Sequence, residues 1–355
     1  MSYQVPVVWS PTTRDHDPRS EVWVGVPTPA AEVAARVDAI LAALDAAGHP
    51  RVDASPHADT VLLQVHDPAL VEHLRTVYDD WVAGGYAELV GQQQAVPYFF
   101  PNSAMLGALP ERRAAAVHAR VGAFAYDTMT PVGEGTWAAA RAAVDCALTA
   151  VELVEAGAGM AYALCRPPGH HVTHAAYGGS CYLNNAAVAA EALRIAGAQR
   201  VAVIDLDAHH GNGTEAIFYA RGDVCYGSVH VDPGAGWFPH VAGFAVETGV
   251  GEGVGATRNI PLAPGTGDQE WCAAVSALVA WVAECRVDAL VVSLGVDAAA
   301  EDPESPLLVT ADGYEQAGRM LAGLGQPTVV VQEGGYHLPS LGGLVAAYLS
   351  GGARE

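Results

Sequence analysis

A chain of 355 residues has room for one large domain or two, and its 39 acidic against 17 basic side chains leave a formal charge of −22. That balance disfavours nucleic acid and anionic membrane surfaces, which bind through clustered Lys and Arg, and makes cationic small molecules the favoured partners. Half the residues are hydrophobic, yet no run nears the ~18 apolar residues of a membrane span and residues 1–10 lack a signal-peptide pattern, so a cytoplasmic chain is expected.

In chain order, residues 30–47, 68–82 and 136–155 read as helices, while 92–108 is rich in Pro, aromatics and small residues. From Gly159 onward, short β-rich runs alternate with Ala-rich amphipathic stretches. The spacing predicts strands at 201–206, 224–229, 289–294 and 328–332, with helices at 185–196, 269–284 and 312–324. Such alternation specifies an α/β fold with a mostly parallel sheet covered by helices, and the continuously apolar strand runs fit a sheet buried on both faces. Neither a linker nor a repeat interrupts the chain, so residues 1–355 are read as one domain. Six scattered cysteines without a Cys-x-x-Cys pair fit thiols in a reducing compartment.

Ligands of parallel sheets sit beyond the carboxyl ends of the strands. The polar motifs fall at those ends. In Asp205-Leu206-Asp207-Ala208-His209-His210-Gly211, alternate side chains share one side of an extended backbone, so Asp207 and His209 reach one ion together. Carboxylate plus imidazole is a zinc-type set that takes a third protein ligand and leaves a position open. Asp297, just past the 289–294 strand, is the best candidate for it. Arg166-Pro167-Pro168-Gly169-His170-His171 holds two imidazoles on a Pro-fixed loop, suited to proton transfer. Glu333-Gly334-Gly335-Tyr336 places a phenol after two glycines that allow close backbone approach, aimed at a developing oxyanion.

Together these stretches resemble the histone deacetylase superfamily, most closely its bacterial acetylpolyamine amidohydrolase branch. The matching text is RPPGHH (166–171), GGSCYLNN (178–185), DLDAHHGNGT (205–214), SLGVDAAAEDP (293–303) and EGGY (333–336). The resemblance implies a single-domain, three-layer arginase/deacetylase-like fold and hydrolysis of a linear amide by metal-activated water. It implies one zinc ion per chain on Asp207, His209 and Asp297, His171 as general base and acid, and His170 as its electrostatic partner. Asp205 would orient His170, Asn212 would orient His171, and Tyr336 would bind the carbonyl oxygen. A structural potassium ion is implied at Asp205 and Ser228, with backbone carbonyls near Asp207, His209 and Val229. Arginase-like enzymes share the fold but need an Asp-x-Asp pair for two manganese ions, where this chain follows Asp297 with three alanines.

For the substrate, the resemblance implies a tunnel lined by Gly179, Ser180 and Phe238, with Ser180 standing where a second aromatic wall is usual. An ungapped count places Met129 and His118 where the polyamine branch carries acidic residues, with Asp127 nearby. Glu304, seven residues after Asp297, stands where the polyamine-selective vertebrate branch has a gatekeeper glutamate, and a carboxylate there would favour a distal ammonium. The expected substrate is therefore a small N-acylated amine, such as an acetylpolyamine, carrying an acetyl or other short acyl group. Segment 92–108 would form the loop through which that branch restricts access and forms a homodimer. The competing readings are an acetyl-lysine protein deacetylase and a catalytically silent binder of acylated amines.

Overall fold

A computed structural model of the chain describes residues 4–89, 91, 93–110 and 112–353. Gln92, the first residue of the predicted early loop, lies outside them. The strands are β1 (Val7–Trp9), β2 (Glu21–Trp23), β3 (Val26–Thr28), β4 (Arg51–Asp53), β5 (Met160–Ala163), β6 (Val201–Asp205), β7 (Val224–Val231), β8 (Thr257–Leu262), β9 (Ala289–Leu294) and β10 (Thr328–Gln332). Eight of them form one sheet in the order β4-β1-β5-β10-β9-β6-β7-β8, and β2 pairs with β3 as a separate hairpin. Every pairing in the large sheet is parallel. The α/β class and mostly parallel sheet expected from the sequence are what the structure has.

The helices are α1 (Ala35–Ala46), α2 (Leu62–Val65), α3 (Pro68–Ala83), α4 (Ser103–Leu106), α5 (Val117–Arg120), α6 (Thr136–Glu155), α7 (Asn185–Ala196), α8 (Asn212–Phe218), α9 (Asp268–Cys285), α10 (Ala311–Ala322) and α11 (Leu338–Gly352). They cover both faces, because a strand turns successive side chains to opposite sides. In β6, Val201 and Val203 join the core with Leu74 of α3, Val144 of α6 and Val188 of α7. Ala202 and Ile204 join the other core with Ile40 of α1, Leu278 of α9, Leu321 of α10 and Val345 of α11. Among the described residues, no helix is long and apolar enough to cross a membrane.

Helices 136–155 and 185–196 and strands 289–294 and 328–332 run over the predicted residues. Asn184 caps α7 by accepting from the Ala187 N–H, and Asp67 caps α3 by accepting from Ala69. The predicted helix at 30–47 is shorter, Ala35–Ala46. Its first turn gives way to an irregular stretch in which Glu32, 2% exposed, turns inward to pair with Arg36 and Arg166. Strands β1, β4 and β5 escape sequence reading because three or four residues carry no periodicity.

Candidate active site

Asp207 and His209 follow β6, Asp297 follows β9, the Gly-Gly-Tyr turn follows β10, and the His-His loop follows β5. Four strand ends thus meet, one more than the motifs alone indicated. One ligand atom each from Asp207, His209 and Asp297 lies within 4.8 Å of the others. His209 Nδ1 is 3.0 Å from Asp297 Oδ2 and 3.3 Å from Asp207 Oδ1. Backbone donors fix the carboxylates: Gly334 N–H to Asp207 Oδ2 at 2.8 Å, and Ala208 N–H to Asp297 Oδ1 at 2.8 Å. A side chain at position 334 would place its Cβ 2.4 Å from Asp297 Oδ2 and 2.6 Å from Asp207 Oδ2, so only glycine fits beside the pair.

Burial opposes ionising both acids. Burial and the Asp207 charge push the Asp297 carboxyl up to about 7, against the pull of His209. For Asp207 burial acts upward, but His170 and His209 outweigh it and hold the carboxyl low. Two buried carboxylates and an imidazole turned toward one point fit a divalent cation, as the donor chemistry suggests. A second trio, His170, Cys181 and Glu333, is equally compact. There Glu333 is already committed, accepting from the N–H groups of Gly169 (2.7 Å) and His170 (3.2 Å) and from the Ser293 hydroxyl (3.1 Å). That carboxylate pins the His-His loop.

The two imidazoles lie 4.0 Å apart between ring centroids. Each has a partner at Nδ1: Asp205 Oδ2 at 3.0 Å for His170 and Asn212 Oδ1 at 2.8 Å for His171. Burial disfavours charging His170, but Asp207 and Asp205 outweigh it and lift its pKa to about 10. Burial, followed by the positive His170 and His209, holds His171 well below its ordinary value. The two rings are pushed in opposite directions, His170 toward its charged form and His171 toward its neutral one. His210, the second histidine of the Asp205–Gly211 motif, turns away toward Glu215, 2.8 Å from its carboxylate.

Sequence reasoning missed Arg36. It lies under Tyr336, its guanidinium 4.9 Å from the ring centroid, and its Nε donates to the Gly335 carbonyl at 2.7 Å. Glu32 holds Arg36 and Arg166 at 2.8 Å each. Nothing in a helical arginine's local sequence distinguishes it from a solvated one. Burial raises the Tyr336 phenol well above its usual value, with Arg36 acting in the opposite direction, so it stays a proton donor.

Above this floor opens a cavity of about 570 Å³ lined by Val22, Trp23, Tyr126, Asp127, Met129 and Phe238 among others. Phe238 meets the His171 ring edge-on at 4.8 Å, and Tyr126, which the sequence did not single out, stacks on Phe238 at 6.3 Å. Gly179, at φ +60°, leaves no room for a Cβ, which would sit 2.3 Å from the His171 ring and 3.0 Å from Phe238. Ser180 stands beside this wall, its N–H bonded to the Thr130 hydroxyl, and does not line the cavity. His118 is bonded to the Tyr86 hydroxyl instead of facing the cavity. Phe100, from the early loop, joins the wall.

Glu304 also stands outside the lining. It is half-buried within electrostatic reach of His209 and Asp302. Beside it is Glu21 of the β2–β3 hairpin, whose carboxyl is pushed up to about 7 by burial and then by Glu304 and Asp127. The hairpin is tied down where the Val22 N–H donates to the Thr128 carbonyl and the Thr128 hydroxyl donates back to the Val22 carbonyl. Ser228, the expected potassium ligand, pairs with Asp205 in the β6–β7 register, and its hydroxyl lies 2.7 Å from His230 Nδ1.

Residues 30–351 match the histone deacetylase domain family. The chain is 39% identical to the acetylpolyamine amidohydrolase of Mycoplana ramosa over 97% of its own length and 98% of that protein. It is 41% identical to the acetylpolyamine amidohydrolase of Burkholderia pseudomallei, over 95% of each chain. The crystal structure of acetylpolyamine aminohydrolase from Burkholderia pseudomallei superimposes with a TM-score of 0.92 at 39% identity, covering 98% of both chains.

Proposed function

The chain belongs to the histone deacetylase family, a family of metal-dependent amidohydrolases, and we propose that it hydrolyses small cationic N-acetylated amines, acetylpolyamines above all, to acetate and free amine. The observation that carries the chemistry is the meeting of Asp207, His209 and Asp297 with the His170–His171 pair at four strand ends. In this reading the whole chain is one cytoplasmic catalytic domain. Asp207, His209 and Asp297 would hold zinc, which would supply the Lewis acidity to polarise an amide carbonyl and acidify water. Asp205, Ser228 and neighbouring backbone carbonyls would hold potassium as a structural ion.

With Asn212 Oδ1 facing Nδ1 of His171, the ring carries its proton there and presents a lone pair at Nε2. His171 therefore takes the proton of the attacking water and returns it to the leaving nitrogen. His170, drawn toward its charged form and held by Asp205, stabilises negative charge building on the reacting centre. Tyr336 donates its phenolic proton in a hydrogen bond to the carbonyl oxygen, a bond that tightens as that oxygen gains charge. Arg36 and Glu32 keep the Tyr336 turn in place.

At the mouth, Glu304, Asp127 and Glu21 supply negative charge, and Trp23, Tyr126 and Phe238 supply aromatic surface. Together these favour a substrate that is positive away from its amide. We also expect a homodimer formed through the early loop, where Tyr98 and Met105 are exposed. The substrate reading is tested by acetate release from N-acetylputrescine, N-acetylspermidine, an acetyl-lysine peptide and an uncharged N-acetylalkylamine. The expected result is a kcat/KM at least about tenfold higher for the cationic small amides, equivalent to roughly 1.4 kcal/mol. A preference for the peptide makes the chain a protein deacetylase, and binding without turnover of any makes it a silent binder.

A further inference from the structure

Cys225 and Cys285 lie far apart in sequence and are brought together at the amino ends of the strands, the end opposite the active site. Helix α9 rests directly on β7: a Cβ at Gly227 would meet the Trp281 ring at 3.0 Å and Leu278 Cδ2 at 3.1 Å. The helix descends antiparallel to the strand, as a crossover between parallel strands requires. Four residues further along the helix, about 6 Å, comes Cys285. Two residues back along the strand, about 6.6 Å and on the same face, comes Cys225. The two walks end at the same place. Cys225 belongs to the core on that side of the sheet and Cys285 packs against it, and each thiol is shifted first of all by the other.

Arg200 completes the site. It donates to the Cys285 carbonyl at 2.8 Å and to the Gly222 carbonyl at 3.1 Å, holding the last turn of α9 against the turn that leads into β7. An open cleft of about 680 Å³, bounded by Arg200, Arg221, Gly222 and Asp223, lies alongside. Cys285 is partly exposed, whereas Cys225 is buried. Cys146, Cys165, Cys181 and Cys272 are buried too. Neighbouring Cys225, and after it Arg200, lower the Cys285 thiol against the opposing effect of burial. The pair thus has an accessible nucleophilic member and a shielded resolving member.

We infer that Cys285 and Cys225 form an oxidative modification site, in which a hydroperoxide converts the dithiol to a disulfide that staples α9 to β7. The Cys285 thiolate attacks the outer oxygen of the hydroperoxide, breaking its O–O bond and giving Cys285 sulfenic acid and an alcohol, or water when the oxidant is hydrogen peroxide. The Cys225 thiol then attacks that sulfur; the S–O bond breaks, the S–S bond forms, and the hydroxyl leaves as water with the Cys225 proton. Two electrons pass from the thiols to the peroxide, and a thiol reductant reverses the change.

The test treats the full chain with hydrogen peroxide and maps its peptides without reduction. The expected product is a cross-linked peptide joining Cys225 to Cys285, lighter by two hydrogens than its reduced halves and lost on treatment with dithiothreitol. In Cys225→Ala, Cys285 should accumulate as sulfenic acid and be trapped by dimedone. In Cys285→Ala, Cys225 should remain unmodified over the same time. Accumulation of sulfinic acid at Cys285 of the unaltered chain without a cross-link, or a cross-link between another pair, overturns the inference.

Discussion

At the floor of the site, polar atoms come from the ends of β5, β6, β9 and β10, and backbone donors hold their carboxylates: Gly334 on Asp207, Ala208 on Asp297, Gly169 and His170 on Glu333. At the rim, Glu21 arrives on a hairpin and Glu304 on a loop; burial raises both carboxyls, helped by Glu304 and Asp127 at Glu21 and, against the pull of His209, by Asp302 at Glu304. The floor is preorganised, as stabilising a transition state requires. The rim carries charge at half-buried positions, where solvent screens it and each contact contributes less. Changes at the floor should therefore act on kcat, and changes at the rim on KM.

The largest effect is expected from Asp297→Ala, which removes a ligand while leaving Asp207 and His209 in place: metal content and acetate release should both fall to background, and retention of either would break the account of the floor. Tyr336→Phe should lower kcat by about 10²–10³-fold with KM little changed, the scale for one oxyanion donor. Asn212→Ala, which frees the His171 ring to rotate or change tautomer, should cost about 10–100-fold in kcat, as for partners that orient a reacting imidazole. Equal loss in kcat and rise in KM would show that floor and rim are not separable in this way.

At the rim, Glu304→Leu should raise KM for N-acetylputrescine roughly fivefold and leave an uncharged N-acetylalkylamine unaffected, as fits a partly screened ion pair of about 1 kcal/mol. The smallest effect belongs to Glu21. Its carboxyl titrates at about 7, so it is largely neutral below that pH and negative above it. KM for the cationic substrate should fall by roughly twofold as pH rises through 7, within the range for one screened charge, and Glu21→Gln should flatten that pH dependence. A pH profile of KM unchanged by the substitution would take Glu21 out of the rim.

The same division explains what could be read from the sequence. Asp207, His209, Asp297 and Tyr336 stand in short motifs at the ends of continuously apolar runs that read as strands, whereas His170 and His171 are legible as a pair on a Pro-fixed loop but the short strand before them is not. Strand ends 201–206 and 289–294 fix their neighbours within a residue or so. Arg36, Glu21 and Tyr126 were missed because their roles arise from tertiary packing: an arginine of α1 lying under Tyr336, a hairpin glutamate beside Glu304, and a tyrosine ring stacked on Phe238. Counting back along the chain placed His118 at the substrate, whereas folding turns it to Tyr86. The Cys225–Cys285 contact likewise depends on the register of α9 on β7, which no local pattern encodes.

The most direct measurement is acetate release from N-acetylputrescine by the purified chain, followed alongside zinc content as the metal is stripped by a chelator and then restored. The account predicts that activity disappears with the metal and returns in proportion to zinc rebound, reaching its limit at one ion per chain, and that Asp297→Ala recovers neither. Acetate release that persists after complete removal of the metal would contradict it.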